Sequence, residues 1–528
     1  MTKMTGGQAL IAALEAGGVD TIFGIPGVHT GAIYDALIDA ESIRHIMCRH
    51  EQGVGFMADG YYRLSGRPAC ALTITGPGVT NVSTPLAGAQ AESSAVLHVC
   101  TTLETNFVGR QVGALHELID QSAMIRAIVG WHRRIKRVAE IPEAICEALH
   151  YMGAGPPRPA SVEIPLDLLT AEAEISVTAP QSQAPLCPDA EAVEKASKIL
   201  AATEVVVLAG GGVIAAEASE ELVDLAEKLC APVITTVNGK GAIPESHPLY
   251  AGCRMRGDNR LDYLLAEAET VLVVGSQLSA RFTDNWSMPL GGNVVQIDVD
   301  SQAIGKHYGG VRGIHADALP TLRELKQCVA PRSERESKDT HRKVAQLRQR
   351  LISNEGDKAQ AIFSAIRSQL PDSAAVFNDM TTLCYDVPMK FPVERPKSVF
   401  FPSYLGTLGF SVPAAMGAKI ANPERPIVAL CGDGGFLFTV QELATAVAER
   451  IGITIIIFND NGYMELEPFF ERDHGRAFDC SLTNPDFVAL AKAFGVTGSR
   501  VADPDELGSV LKKSLQSDEV SLIEYCLS

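Results

Sequence analysis

Short apolar runs alternate with longer segments of helical periodicity along the whole chain. The short runs have the length and composition of buried strands. Strands that alternate with helices are typical of parallel sheets covered by helices on both faces. We predict strands at residues 69–74, 95–100, 205–209, 271–274, 374–377, 427–431, 453–458 and 521–525.

The length of the chain and two polar stretches predict its division into domains. A chain of 528 residues is too long for one core, and about three domains are expected. Residues 176–190 are rich in Pro, Ser and Gln, and residues 329–343 contain a run of charges. We interpret both stretches as linkers. The sequence therefore predicts an α/β protein of three doubly wound parallel-sheet domains, at residues 1–175, 191–328 and 344–528.

Composition and charge exclude some classes of binding partner. The formal net charge of −18 argues against a nucleic-acid partner, which requires a basic surface. Residues 1–8 lack the apolar core of a signal peptide, and no apolar run approaches the roughly 20 residues that span a bilayer. The 12 cysteines are scattered without a Cys-x-x-Cys pair, as is usual for reduced thiols. We expect a cytoplasmic enzyme with no nucleic-acid and no membrane partner.

Two acidic turns follow neighbouring strands near the end of the chain. Gly432-Asp433-Gly434 follows the strand at 427–431, and Asp460 with Gly462 follows the strand at 453–458. Residues 439–442 have the form of a capping box, which opens a helical run at 443–450 between the two strands. In such a βαβ unit both strand ends lie at one edge of the sheet, so the two aspartates should converge. Carboxylates beside glycine turns suit Mg²⁺ or Ca²⁺ together with a diphosphate.

A second cluster of polar residues lies in the first domain. Glu51 lies in the run Arg49-His50-Glu51-Gln52-Gly53. A carboxylate placed among apolar residues and glycines is a candidate for a raised pKa and for proton transfer. The alternative is that Glu51 only caps the helix that follows. Gly76-Pro77-Gly78 and Asn81 come shortly after.

The middle domain contains a strand that runs into Gly210-Gly211-Gly212. A nucleotide or a flavin is one explanation of such a turn. The spacing is not Gly-x-Gly-x-x-Gly, however, and glycines also allow a helix to pack closely on a strand.

Together these motifs resemble those of the thiamin-diphosphate-dependent 2-oxo acid enzymes, and within them the acetolactate-synthase-like group. Residues 24–30 and 115–121 further resemble the 5-guanidino-2-oxopentanoate decarboxylases of that group. The resemblance covers the whole chain and implies pyrimidine-binding, central Rossmann-like and diphosphate-binding domains, in that order. The motifs that carry it are residues 49–53, Gly76-Pro77-Gly78 with Asn81, and Asp433 with Asp460.

The resemblance also implies how the reactive end of the cofactor is held. Glu51 would hydrogen-bond the aminopyrimidine and favour the tautomer that deprotonates the thiazolium to a C2-ylid. In the segment 406–410, Leu408 would support the bent cofactor and the Gly406 carbonyl would accept from its amino group. Decarboxylation of a 2-oxo acid would leave an enamine, which is protonated to an aldehyde or attacks a second carbonyl.

At the other end, Asp433, Asp460 and the Gly462 carbonyl would hold Mg²⁺. Asp460 occupies a position where many family members have asparagine. The hydroxyls of Thr381 and Thr382 would contact the diphosphate. Because the Gly-x-Gly-x-x-Gly spacing is missing, we expect no FAD. The other residues predicted to bind the cofactor are Gly76, Asn81, Gly432, Gly434, Gly435 and Tyr463.

His29 and His116 are candidate proton donors, because both lie in stretches that match active-site loops and histidine titrates near neutral pH. Glu465 is a candidate for holding a cationic substrate tail, and a solvated helical face is the alternative. We expect non-oxidative decarboxylation of a 2-oxo acid to an aldehyde. The alternatives are a carboligase of the acetolactate synthase kind and a non-catalytic cofactor-binding homologue. The resemblance implies a homo-oligomer, in our prediction a tetramer, with active sites between subunits.

Overall fold

Three parallel sheets of six strands each, flanked by helices, make up the protein and confirm the predicted α/β class. The structure is a computed structural model that describes residues 2–181, 183–352 and 357–527. Two compact units are distinguished: residues 1–183, 376–382 and 404–528 form the first, and residues 184–375 and 383–403 form the second. The predicted domain boundaries stay a prediction.

The first sheet has the strand order β3-β2-β4-β5-β7-β6, and β1 pairs antiparallel with β8 beside it. The strands are β1 (Thr2–Thr5), β2 (Thr21–Gly24), β3 (Arg44–Met47), β4 (Cys70–Thr73), β5 (Leu97–Thr102), β6 (Trp131–Arg134), β7 (Ala160–Pro165) and β8 (Glu172–Ile175). The helices are α1 (Gly6–Ala16), α2 (Gly31–Leu37), α3 (Glu51–Ser65), α4 (Pro77–Asn81), α5 (Ser83–Ala91), α6 (Gln121–Arg126), α7 (Ile141–Gly153) and α8 (Leu166–Thr170), with 3₁₀ turns at Val28–Thr30 and Val138–Glu140.

The second sheet has the order β11-β10-β9-β12-β13-β14. Its strands are β9 (Val205–Ala209), β10 (Val233–Thr236), β11 (Tyr250–Arg254), β12 (Thr270–Val274), β13 (Asn293–Asp298) and β14 (Val311–His315). The helices of this segment are α9 (Ala190–Ala202), α10 (Gly211–Ala215), α11 (Ser219–Leu229), α12 (Asp262–Glu267) and α13 (Ala318–Cys328), with a 3₁₀ turn at Val237–Gly239.

The third sheet has the order β16-β15-β17-β18-β20-β19. Its strands are β15 (Ala375–Asn378), β16 (Val399–Phe400), β17 (Ile427–Gly432), β18 (Thr454–Asn459), β19 (Thr497–Val501) and β20 (Ser521–Cys526). The helices that follow α13 in the chain are α14 (Glu334–Ile352), α15 (Lys358–Gln369), α16 (Val387–Lys390), α17 (Ser411–Ala421), α18 (Asp433–Phe436), α19 (Glu442–Ala448), α20 (Leu466–His474), α21 (Phe487–Ala493) and α22 (Pro504–Ser514), with a 3₁₀ turn at Thr382–Tyr385.

The strands of the third sheet position the site. β17 and β18 are parallel neighbours, with Gly432 opposite Phe458 in the register. β15 lies on the other side of β17. The residues that follow these three strands therefore meet at one edge of the sheet, as the carboxyl ends of parallel strands do.

In the first unit, helices α3 and α17 pack so closely that their backbones are in contact. A Cβ atom on Gly60 would overlap the backbone of Ala414, and one on Gly417 would overlap the backbone of Met57. The rings of Phe56 and Phe410 meet edge to face beside this contact, with centroids 5.6 Å apart. Glycine is required on both helices, because any side chain would force them apart.

The charged stretch at 329–343 is not the linker that we predicted. Most of it belongs to α14, a helix of 19 residues. Val344 and Leu347 on one face of this helix are 2% and 6% exposed, and Leu347 packs in a cluster with Leu261 and Leu265. The run of charges is the solvated face of an amphipathic helix, which the charge pattern alone does not distinguish from a linker.

The predicted capping box at residues 439–442 was also wrong. The Thr439 hydroxyl donates to the Gly409 carbonyl at 3.1 Å instead of capping α19. The Glu442 carboxylate turns away to the backbone of residues 49 and 50. Tertiary partners therefore replace the two local bonds of the box.

The glycines after β9 fill a packing role. A Cβ atom on Gly210 or Gly212 would overlap Gly275, at the end of β12, and a Cβ on Gly239 would overlap Ala209. Among the described residues, no helix is both long and apolar enough to cross a membrane. The 12 cysteines all lie among the described residues, and none of them forms a disulfide bond.

We expect Leu347→Ala to lower the free energy of unfolding of the second unit by about 3 kcal/mol, because it leaves a cavity in a buried cluster. The control is Lys338→Ala on the same helix, whose side chain is 74% exposed. Denaturant unfolding measures both variants. Equal effects of the two substitutions would show that α14 does not pack through Leu347.

Candidate active site

Asp433 and Asp460 lie together at the carboxyl edge of the third sheet. Asp433 is 1% exposed, and its Oδ2 accepts hydrogen bonds from the Gly462 N–H at 3.0 Å and from Asn484 Nδ2 at 2.6 Å. Asp460 is half-buried, and its Oδ2 accepts from the Thr382 hydroxyl at 3.1 Å. The structure thus brings both predicted metal-binding carboxylates and one predicted diphosphate-binding hydroxyl to one place.

The two negative charges of this pair favour the binding of a cation. Burial, together with the negative charge of Asp433, raises the pKa of Asp460 to about 6. A divalent cation between the two carboxylates would remove this repulsion. No group of three or more His, Cys, Asp or Glu suited to a metal occurs among the described residues, so further ligands would be carbonyls, water or phosphate. Mg²⁺ is commonly held in this way by one or two carboxylates and substrate phosphates.

The glycine turn beside this pair is packed against the other predicted diphosphate-binding residues. A Cβ on Gly432 would lie 2.9 Å from the Thr381 hydroxyl oxygen, and a Cβ on Gly434 would lie 2.6 Å from the ring of Tyr463. Gly435 follows in α18 and is buried. The turn has no room for side chains, so its backbone forms the wall of the site.

Asn484 is a site residue that the sequence analysis missed. Its Nδ2 donates to Asp433 Oδ2 at 2.6 Å and to Asn459 Oδ1 at 3.2 Å. The Asn459 amide donates in turn to Glu524 at 2.8 Å. These bonds fix the position of the Asp433 carboxylate. No local signal marks Asn484, because its partners lie in distant parts of the chain.

Asp379 was also missed as a site residue, although it precedes Thr381 and Thr382. It is 1% exposed, and its Oδ2 accepts from the Gly409 N–H at 2.8 Å. Burial raises its pKa to about 7, against the opposing effect of several backbone N–H bonds. The Gly409 carbonyl accepts in turn from the Thr439 hydroxyl. Both backbone polar groups of Gly409, the residue after Leu408, are therefore hydrogen-bonded.

The segment around Leu408 contains two glycines in the left-handed region. Gly406 has φ +68° and Gly409 has φ +77°. Gly406 is exposed and Leu408 is half-buried. The positive φ values turn the chain sharply on both sides of Leu408, which presents its side chain at a bend.

Glu51 is the first residue of α3, and it does not cap this helix. The cap is His50, whose Nδ1 accepts from the Gln52 N–H at 3.1 Å. The Glu51 carboxylate accepts instead from Asn81 Nδ2 at 2.9 Å. The structure therefore brings together Glu51 and Asn81, two residues predicted to bind the cofactor.

Gly76 connects this region to the loop that contains His116. Its φ is +68°, and a Cβ atom there would overlap the His116 carbonyl. The Gly76 N–H donates to Gln121 Oε1 at 2.9 Å. Only glycine fits at this position, because both the backbone angle and the contact exclude a side chain.

His29 and His116 contact each other, with ring centroids 5.1 Å apart in an edge-to-face arrangement. Burial lowers the pKa of His29, and the charge of His116 lowers it further. His29 Nδ1 is buried and has no hydrogen-bond partner among the described residues. The two predicted proton donors are therefore in contact, and His29 Nδ1 is available to bind a ligand.

Glu465 lies at the start of α20 and is half-buried. All nine residues of α20 are at least partly exposed, among them Leu466 at 45% and Phe469 at 44%. Glu465 stays a candidate for substrate binding, since its segment directly follows Gly462 and Tyr463.

Comparison with known proteins identifies the family. Residues 4–124 match the N-terminal TPP-binding domain of thiamine pyrophosphate enzymes, residues 193–325 match the central domain, and residues 379–525 match the C-terminal TPP-binding domain. The chain belongs to the thiamine pyrophosphate enzymes, which confirms the resemblance described above.

Its relatives include enzymes with two kinds of activity. The chain is 37% identical to a probable 2-ketoarginine decarboxylase of Pseudomonas aeruginosa, over 99% of this chain and 94% of that protein. It is 33% identical to a probable acetolactate synthase large subunit of Methanocaldococcus jannaschii, over 99% and 92%. It is 30% identical to the acetolactate synthase isozyme 1 large subunit of Escherichia coli, over 94% and 89%.

We expect Asp460→Asn to raise the stability of the protein in the absence of Mg²⁺ by about 1 kcal/mol at pH 8, because it removes the repulsion with Asp433. We also expect Mg²⁺ to stabilise this variant less than the wild type. Thermal melting with and without Mg²⁺ measures both effects, and Glu519→Gln, at an exposed carboxylate, is the control. An equal response of wild type and variant to Mg²⁺ would contradict a metal site at Asp460.

Proposed function

We propose that this protein is a thiamin-diphosphate- and Mg²⁺-dependent decarboxylase that converts a 2-oxo acid to an aldehyde without oxidation. The contact between His29 and His116 carries the proposal, because an aldehyde forms only if a proton is delivered to the carbon that loses CO₂. The 37% identity to a probable 2-ketoarginine decarboxylase supports it.

Thiamin diphosphate, when bound, supplies an electron sink for the electron pair released as CO₂ departs. Glu51 would hold the aminopyrimidine end through its carboxylate, which Asn81 orients. Asp433, Asp460 and the Gly462 carbonyl would hold Mg²⁺, and Thr381 and Thr382 would hold the diphosphate. Leu408 would support the cofactor from the bend between Gly406 and Gly409.

The histidine pair would supply the proton. Since burial lowers the pKa of His29, this ring is neutral at pH 7 and carries one N–H. His116 is half-buried and in contact with this ring. His29 would act as the acid in its protonated, cationic form: it would take up a proton from solvent and give it to the carbon that has lost CO₂, which returns the ring to its neutral form and is general acid catalysis.

The substrate that we favour is 5-guanidino-2-oxopentanoate, which is 2-ketoarginine. Its guanidinium would pair with a carboxylate, since planar guanidinium groups bind carboxylates with two hydrogen bonds. Glu465 and Glu467 are the candidates, because both are half-buried and directly follow the turn that contains Gly462.

A second candidate function is carboligation to a 2-hydroxy ketone. Identities of 33% and 30% to acetolactate synthase subunits favour it. The two functions share every step up to loss of CO₂. They differ in whether a proton or a second carbonyl compound then reacts at the carbon.

We further propose a cytoplasmic homotetramer. In it, Glu51 of one subunit and the Asp433–Asp460 pair of another would form one active site. Large apolar side chains of the first unit are exposed in the single chain and are available for contacts between copies. They include Val28 at 86%, Ile119 at 79% and Phe478 at 85%.

The activity is tested with purified protein, thiamin diphosphate, Mg²⁺ and a panel of 2-oxo acids. We expect CO₂ and 4-guanidinobutanal from 5-guanidino-2-oxopentanoate, at a kcat/KM at least about tenfold above that for the uncharged 2-oxohexanoate, since a guanidinium–carboxylate pair contributes about 1.5–3 kcal/mol. Acetolactate from pyruvate would instead support the carboligase. Absence of CO₂ from every acid would contradict both.

The role of Glu51 is tested by Glu51→Gln. We expect the exchange of the C2 hydrogen of bound thiamin diphosphate to slow by at least about 100-fold, the usual range for loss of acid–base catalysis. Quenched-flow exchange in D₂O followed by NMR measures the rate. Exchange at the wild-type rate would remove the role assigned to Glu51.

Mixing two inactive variants tests whether the site lies between subunits. Glu51→Gln and Asp433→Asn each damage a different half of the site. If the halves come from different chains, random exchange of subunits should restore about one quarter of the wild-type activity, because hybrid pairs keep one intact site. A mixture as inactive as its components would place both halves in one chain.

A further inference from the structure

Glu442 is a buried carboxylate that takes no part in the proposed reaction. It is 0% exposed and begins α19, in the diphosphate-binding part of the chain. A buried charge is costly unless hydrogen bonds compensate for the lost water. The partners of Glu442 therefore indicate what it does.

These partners are in the first domain, immediately before Glu51. Glu442 Oε1 accepts from the backbone N–H of Arg49 at 3.1 Å and from that of His50 at 2.9 Å. Both N–H groups precede the first residue of α3, so neither has an acceptor within that helix. Glu442 Oε2 is held by the Thr445 hydroxyl at 2.7 Å.

The carboxylate also packs on the first turn of α3. A Cβ atom on Gly53 would overlap Glu442 Oε1, so this turn accepts the carboxylate only because residue 53 is glycine. The Thr445 hydroxyl lies 3.4 Å from the Met47 carbonyl, at the end of β3. The backbone from residue 47 to residue 53 is thus fixed by one short segment of α19.

We propose that Glu442 is a positioning residue: by binding the backbone N–H groups of Arg49 and His50, it fixes the start of α3 and hence the direction of the Glu51 carboxylate. The inference rests on the proposed function, in which Glu51 acts on the cofactor. Asn81 then holds the carboxylate itself, while Glu442 holds the backbone that carries it.

The test uses Glu442→Gln, which keeps the size of the side chain but replaces one acceptor oxygen with an N–H₂ group. The matched control is Glu449→Gln. Glu449 is also a carboxylate of this segment that reaches the first domain, where it lies 3.4 Å from Arg44, but it is partly exposed and does not bind residues 49 and 50.

The first readout is amide hydrogen exchange of the full-length protein without cofactor. We expect Glu442→Gln to speed exchange of the Arg49 and His50 amides by about tenfold, as loss of a hydrogen bond of about 1.4 kcal/mol predicts. Glu449→Gln should leave both amides as protected as in the wild type. Unchanged protection in Glu442→Gln would overturn the inference.

The second readout is C2-hydrogen exchange of thiamin diphosphate bound with Mg²⁺. We expect a rate about tenfold lower in Glu442→Gln than in the wild type and in Glu449→Gln, because a displaced Glu51 is a poorer acid–base partner. Faster amide exchange together with an unchanged C2 rate would make Glu442 merely structural and would overturn the proposal.

Two further measurements distinguish a failure of this inference from a variant that does not fold and from a failure of the proposed function. If Glu442→Gln does not fold, Thr445→Val removes one donor to the carboxylate and should produce the same changes to a smaller extent. Wild-type amides at 49 and 50 that exchange as freely as unfolded ones would overturn the inference. If the wild type shows no C2 exchange, the proposed function fails, and the amide experiment still tests the contact of Glu442.

Discussion

The near-contact between the backbones of α3 and α17 is the constraint on which the site depends. Gly60 and Gly417 permit it, and Phe56 with Phe410 extends it. Helix α3 begins with Glu51, and α17 follows directly after the bend that presents Leu408. Because the two helices touch through glycines, neither can shift without the other. A larger side chain at either glycine would displace Glu51 and the bend at Leu408 together.

The first unit holds several buried acids, and each is compensated in a different way. Asp379 and Glu442 accept backbone N–H bonds, which stabilise the ionised carboxylate against the burial that raises the pKa of both. Asp59 pairs with Arg63, which also lies 4.8 Å over the ring of Phe410. Asp433 and Asp460 differ from these acids, because the negative charge of Asp433 raises the pKa of Asp460, and a bound cation would compensate both carboxylates.

The pattern of apolar runs predicted eight strands of the three sheets, because those strands are continuous apolar runs, whereas others such as β2 and β7 were not predicted. It also placed Asp433 and Asp460 together, since both follow adjacent parallel strands. Glu442 was interpreted as part of a capping box because that signature is local, whereas its partners are almost 400 residues away in the chain. Asn484 gave no signal for the same reason. The charge run of α14 was misread because only three-dimensional packing shows that Val344 and Leu347 are buried.

Helix α20 differs from the rest of the site in having no side chain committed to the core. Substitutions on it therefore carry little penalty in folding free energy, unlike those at Gly60 or Asp379. On the proposed function, the residues that hold the cofactor and those that meet the substrate tail are thus under separate constraints. A lineage would then change the acid that it accepts by altering this helix alone, while the stability of the cofactor site is inherited unchanged.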